Sequence, residues 1–157
     1  MAITLSAGAP APDFSALDQW GKMHKLSDYR QRRVVLFFYP ADDTPGCTAE
    51  VCSLRDHYAE LQAQGLVLLG VSPDGIESHR RFAEKFNLPF ALLGDESKQI
   101  LTAYGAWGEK NMYGKKTMGV LRSTFLIDEA GNILDVIKRV DTKAAAEQIL
   151  KKVKSEQ

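Results

Sequence analysis

The chain has 157 residues, 45% apolar and 25% charged, enough for one domain with a substantial buried core. Twenty basic and twenty acidic residues cancel, which argues against a nucleic-acid binder, because such domains usually carry a basic excess. The longest apolar runs are strand-length, far short of the roughly 18 residues of a membrane span, and two cysteines are too few for the disulfide framework of a small secreted protein.

In chain order, residues 1–12 read as an irregular lead-in broken by Gly8, Pro10 and Pro12. Met1-Ala-Ile-Thr-Leu5 has neither a basic n-region nor a cleavage site, so no secretory signal is expected and the chain reads as cytoplasmic. Phe14–Leu17 and Met23–Leu26 suggest two short strands around the turn Asp18-Gln-Trp-Gly21, and Ser27–Arg30 one capped helical turn. The basic group Arg30-Gln-Arg-Arg33 reads as a solvated entry to the apolar run Val34-Val-Leu-Phe-Phe-Tyr39, a buried strand. A helix is expected over 45–64, stopped by Gly65, then a second buried strand over Leu66–Val71. Two buried runs joined by a helix make a right-handed βαβ unit. A helix over 76–86 stops at Asn87, Pro89–Leu93 reads as a short strand, and Ser97–Tyr104 as a short helix ended by Gly105. Residues 106–119 show no periodicity and read as a functional or mobile loop. Val120–Ile127 and Ile133–Val140 flank Asp128-Glu-Ala-Gly-Asn132, a hairpin signal, and Thr142 is expected to cap a final helix. The pattern is α/β: a mixed central sheet flanked by helices, in a single domain over 1–157.

The chemistry gathers after the first buried strand, in Pro40-Ala-Asp-Asp-Thr44-Pro45-Gly46-Cys47-Thr48-Ala-Glu50-Val-Cys52. Cys47, Val51, Leu54, Tyr58 and Leu61 recur at steps of three or four, the period of a helix with one buried face. Thr44 stands where an N-cap belongs and Pro45 at the first helical position, where its missing N–H costs nothing. Cys47 therefore falls in the first turn, among free amides and the positive end of the helix dipole, which favour the reactive thiolate. Burial alone would also explain it, since free cysteine is among the most buried residue types. Cys52 lies ~140° around the helix from Cys47, off the apolar stripe, where it is a poor core filler and a suitable second thiol. Arg122, among Val120, Leu121, Phe125 and Leu126, is a cation in an expected strand and needs a partner, at minimum a helix-face carboxylate.

Pro40-x-x-x-Thr44-x-x-Cys47 resembles the active-site pattern of the peroxiredoxins, and the flanking residues resemble their bacterioferritin comigratory protein branch, also called PrxQ. Ala9-Pro-Ala-Pro-Asp-Phe14, Gly70-Val-Ser-Pro-Asp74 and Gly119-Val-Leu-Arg-Ser-Thr-Phe-Leu-Ile-Asp128 extend the resemblance over nearly the whole chain. It implies the thioredoxin fold and a thiol peroxidase of AhpC/TSA type. In that scheme Cys47 attacks hydrogen peroxide or an alkyl hydroperoxide, and Cys52 closes an intramolecular disulfide that thioredoxin or a similar dithiol reduces. Thr44 orients the peroxide, Pro40 shields the sulfur from water, and Arg122 favours the thiolate and polarises the O–O bond. The branch further implies a monomer.

His24, His57 and His79 share no metal-ligand spacing, and no dinucleotide fingerprint or phosphate loop is present, so neither metal nor organic cofactor is expected. Ser72-Pro73-Asp74 and Trp107 read as loop geometry and packing. Two other functions stay open: a thiol–disulfide oxidoreductase acting on proteins, disfavoured because Cys-x-x-x-x-Cys stands where Cys-x-x-Cys would be usual, and a redox-sensing or chaperone-like protein on the same fold.

Overall fold

A computed structural model describes residues 3–155, so Met1 and Ala2, where the N-terminal reading begins, lie outside it. The centre is a five-stranded mixed sheet in the order β5-β4-β3-β8-β9, where β3 is Arg33–Phe38, β4 Leu66–Ser72, β5 Ala91–Gly94, β8 Ser123–Ile127 and β9 Ile133–Ile137. β3, β4 and β5 run parallel and β8 and β9 antiparallel to their neighbours, as the βαβ-then-hairpin order requires. The chain thus has the expected mixed α/β, thioredoxin-like architecture.

The unbroken apolar run of β3 follows from its central place. Val35 and Phe37, continued by Tyr39, enter one core with the helical residues Val51, Leu54, Leu61, Phe82 and Ile149. Val34, Leu36 and Phe38 enter the opposite core with Leu101, Tyr104 and Phe125. A strand covered on both faces has no polar side to show, which is why alternation is missing. Two helices, α1 (Pro45–Asp56) and α2 (Tyr58–Ala63), connect β3 to β4; α3 (Ile76–Phe86) connects β4 to β5, and α4 (Gln99–Ala103) follows β5. α5 (Ala145–Ser155) closes the described chain. Among the described residues no helix is long and apolar enough to cross a membrane.

Several expected boundaries differ. The helix over 45–64 is two helices, because His57 adopts φ −110°, ψ 15° between them. The Ser53 carbonyl takes both the His57 amide at 3.2 Å and its Nδ1 at 2.9 Å, so the ring competes with the helical ladder. Residues 106–119 are no loop: β6 (Trp107–Met112) and β7 (Lys115–Val120) pair as an antiparallel hairpin. Lys115 to Met118 are all exposed, so nothing imposes a hydrophobic period, and the two-residue turn needs positive φ at both Tyr113 (54°) and Gly114 (78°). β7 ends at Val120 and β8 begins at Ser123, so Arg122 lies in a two-residue link and not inside a strand. The lead-in is tied to the end of the sheet, with the Gly8 amide donating to the Ile133 carbonyl and Ile133 to Ala9, each at 2.8 Å. Asp141, not Thr142, caps the last helical segment, accepting from the Lys143 amide at 3.1 Å, and a 3-10 turn over Thr142–Ala144 precedes α5. The first two strands are shorter than expected, β1 (Ser15–Leu17) and β2 (Met23–Lys25), and a 3-10 turn at Leu26–Tyr29 follows. The stop at Asn87 holds: its φ of 53° is the left-handed cap that ends α3.

Gly70 in β4 faces the ring of Phe37 so closely that an added Cβ would lie 2.6 Å from Phe37 Cζ and 2.9 Å from Leu92 Cδ2. Gly70→Ala is expected to destabilise the protein by ~1–3 kcal/mol, the usual cost of overpacking, read as a lower urea midpoint at unchanged m.

Candidate active site

The site forms where β3 runs out at the end of the sheet and the chain turns into α1. Tyr39 is still wholly buried; Pro40 is half-buried and opens a loop, residues 40–44, that delivers Thr44 to the N-cap in an extended conformation (φ −94°, ψ 155°). Pro45 then starts the helix. The Thr44 carbonyl accepts from the Thr48 amide at 2.8 Å, but its hydroxyl makes no cap bond and turns back to donate to the Ala41 carbonyl at 3.0 Å. The expected side-chain cap is therefore absent, and the first-turn amides are left without it.

Cys47 and Cys52 are both free thiols on α1. Cys47 has no exposed surface and belongs to the apolar core cluster, while Cys52 is half-buried, as its place off the stripe requires. Packing would explain the burial of Cys47, but not its neighbour. Arg122 Nη2 donates to Cys47 Sγ at 3.2 Å, and Nη1 of the same guanidinium donates to Glu50 Oε1 at 2.5 Å. The link between β7 and β8 holds Arg122 against the helix, with the Leu121 amide bonded to the Ala106 carbonyl at 2.6 Å. Gly46 completes the fit: a Cβ there would stand 3.3 Å from Nη2, tight enough to push it from the sulfur.

Glu50 is the residue that reading the sequence missed. It is one helical turn beyond Cys47 and is fully buried, and Oε2 has no hydrogen-bond partner among the described residues. The signal was its place at i+3 from the cysteine, on the same helix face, where a carboxylate needs a cation. Burial pushes the Glu50 carboxyl up to about 7, while the charge and hydrogen bond of Arg122 pull against that rise. Burial works against the charge of Arg122, but Glu50 and then Cys47 outweigh it and hold the guanidinium above its ordinary value. Arg122 thus meets both readings at once: it pairs with a helix carboxylate and also touches the sulfur. A buried sulfur in a first helical turn with a guanidinium donor is equipped for nucleophilic chemistry. Pro40 and Thr44 lie in the loop just before it, and Cys52 lies on the same helix. Thus α1, its entry loop and the link before β8 carry the five expected residues. Only Arg122 makes a hydrogen bond to the Cys47 sulfur among the described residues.

The AhpC/TSA family model matches residues 7–136. The chain is 41% identical over 152 residues to the peroxiredoxin Bcp of Bacillus subtilis, covering 97% of each. It is 47% identical over 129 residues to that of Escherichia coli K12, covering 82% of this chain and 83% of the relative. A solved structure of the bacterioferritin comigratory protein of Xanthomonas campestris, described for alkyl peroxide reduction, superposes with a TM-score of 0.88 at 31% identity over 99% of both chains.

The Glu50 carboxyl sets a pH dependence of stability. Its folded value of about 7 lies above the ordinary 4.5, so the folded state binds the extra proton between the two. The resulting stability is complete below the unfolded value, falls as pH rises from 4.5 to about 7, and is gone above that window. The loss should be on the order of 3 kcal/mol, and Glu50→Gln should flatten this part of the profile when urea midpoints are compared across the range.

Proposed function

The chain belongs to the AhpC/TSA family and, within it, to the bacterioferritin comigratory protein branch of the peroxiredoxins, and on that premise we propose how its thiol peroxidase activity is carried out. Cys47 is the attacking sulfur. Its thiolate bonds to one peroxide oxygen as the O–O bond breaks, and the departing oxygen takes a proton and leaves as water or alcohol. Sulfur is oxidised by two electrons to a sulfenic acid, the first rung of the cysteine ladder. The observation that carries this assignment is Arg122 Nη2 at 3.2 Å from Cys47 Sγ. A fixed guanidinium stabilises negative charge on the sulfur before reaction and on the departing oxygen during it. Glu50 holds the guanidinium in register through Nη1. Thr44 orients the peroxide: with its proton donated to the Ala41 carbonyl, its hydroxyl oxygen accepts from the peroxide O–H. The Pro40 ring keeps water from the sulfur.

Cys52 resolves the sulfenic acid, forming a disulfide with loss of water, and a dithiol protein of the thioredoxin type then restores both thiols. This second step needs movement. On a regular helix, residues five apart have Cα atoms roughly 8.6 Å apart with side chains on different faces, and a disulfide needs about 7 Å or less with converging Cβ vectors. α1 is continuous through both cysteines, so its first two turns, residues 46–53, must unwind before the bond can close. The substrates are hydrogen peroxide and alkyl hydroperoxides, in line with the activity described for the Xanthomonas relative. The protein works as a cytoplasmic monomer of one domain in peroxide defence and redox homeostasis, and the scheme needs no metal or organic cofactor.

Cys47→Ser is expected to abolish peroxide consumption in a thioredoxin-coupled assay. Cys52→Ser should react once per molecule, leave a trappable sulfenic acid and fail to turn over; the reverse pattern overturns the assignment. Arg122→Met should lower the rate constant with peroxide by roughly ten- to a hundredfold, the worth of one hydrogen bond to a charged group. Amide exchange over residues 47–56 should be faster in the disulfide form than in the reduced form.

A further inference from the structure

A second buried cluster fastens the loop of residues 40–44. The side chain of Asp42 is 4% exposed, and it accepts at both oxygens. The Tyr39 hydroxyl donates to Oδ1 at 2.7 Å; the Ser78 hydroxyl and His79 Nδ1 donate to Oδ2, each at 2.7 Å. The Asp42 amide donates to Asp74 Oδ2 at 2.8 Å. His79 is wholly buried, and its Nε2 lies 3.0 Å from the Leu93 carbonyl oxygen. The bond between the ring and the Asp42 carboxylate is charge-assisted through the carboxylate. Although Asp42, Asp74 and His79 stand close enough to suggest a cation site, both Asp42 oxygens are already occupied by donors. The cluster is a fastening.

Its position gives that fastening a consequence. Asp42 lies two residues before the N-cap and three before the first residue of α1. Unwinding the first turns of α1 requires the backbone near Thr44 to move, and Asp42 holds that backbone to α3 and to the ends of β4 and β5. We propose that the Asp42–His79 pair is a latch: its two members are positioning residues that set how long oxidised Cys47 stays in the folded site before Cys52 reaches it. The proposal rests on the peroxidase reading above. Two fates compete for the sulfenic acid. It condenses with the Cys52 thiol, forming the S–S bond and releasing water. Or it takes an oxygen from a second peroxide, giving a sulfinic acid and releasing water or alcohol. A tight latch slows the first fate and so favours the second.

The test compares the full-length protein with His79→Gln, Asp42→Asn and the milder Tyr39→Phe, which removes a single donor to Asp42. In the reduced proteins, amide exchange over residues 43–50 should accelerate by roughly ten- to a hundredfold, the span of one charge-assisted hydrogen bond, with β3 and β4 unchanged. After one equivalent of peroxide, closure of the Cys47–Cys52 disulfide, followed by thiol alkylation and mass spectrometry, should speed up by a similar factor. With excess peroxide the sulfinic acid formed per turnover should fall. Tyr39→Phe should give the same changes on a smaller scale, and it decides the matter if the other two variants fail to fold. Unchanged local exchange with unchanged closure overturns the latch, as does lost protection spread evenly over β3 and β4, which would mark a residue of the fold alone. If the unsubstituted protein did not consume peroxide, the peroxidase scheme would fail, and the reduced-state exchange comparison would still decide whether the pair holds the loop.

Discussion

A carboxylate without exposed surface has to be compensated, and Glu50 is compensated by one hydrogen bond and one charge, both from Arg122. This requirement organises the site. It brings a guanidinium from 72 positions further along the chain onto the first turns of α1 and leaves its second nitrogen for the sulfur. Glu50 therefore fixes the direction of the Arg122 fork. It also takes part of its field, since a cation with two partners is shared between them. The surroundings serve the same contact: Gly46 leaves room for Nη2, and the link between β7 and β8 brings Arg122 to the helix.

Much of this was legible in the sequence, for reasons that differ by residue. β3 and β4 stood out because strands buried on both faces are continuous apolar runs. α3 stood out because an apolar stripe ended at an asparagine that takes left-handed φ readily. Cys47 was readable from local rules alone, with Thr44, Pro45 and a helical stripe fixing its place in a first turn. Arg122 was readable as an anomaly, a charge amid apolar neighbours, although the chain around it is a link and not a strand.

The rest was hidden for physical reasons. The β6–β7 hairpin is mostly exposed along β7, and without burial there is no period to detect. The break at His57 accompanies a side-chain bond from its ring to the Ser53 carbonyl, which also takes the His57 amide, a sharing that residue type does not reveal. The hydroxyl of Thr44 prefers a carbonyl three residues back over the amides ahead of it. The fastening of Asp42 joins residues 36 and 37 positions apart in the chain, on elements that meet only after the sheet has formed. A sequence carries local signals and unexplained residues; a distant pair exists only once the fold brings it together.

The break at His57 limits how far a disturbance can travel. Helix melting is cooperative, and in an unbroken helix over 45–64 the loss of the first turns would weaken each following hydrogen bond in turn. Here α1 is 12 residues long and the ladder is already interrupted before α2 begins. α2 keeps its own contact with the core through the buried Leu61. α1 thus ends at a break that marks a natural limit for unwinding. Unwinding that starts at its N-terminus meets that break after 12 residues, and the strand and helix that follow keep their own hydrogen bonds and core contacts.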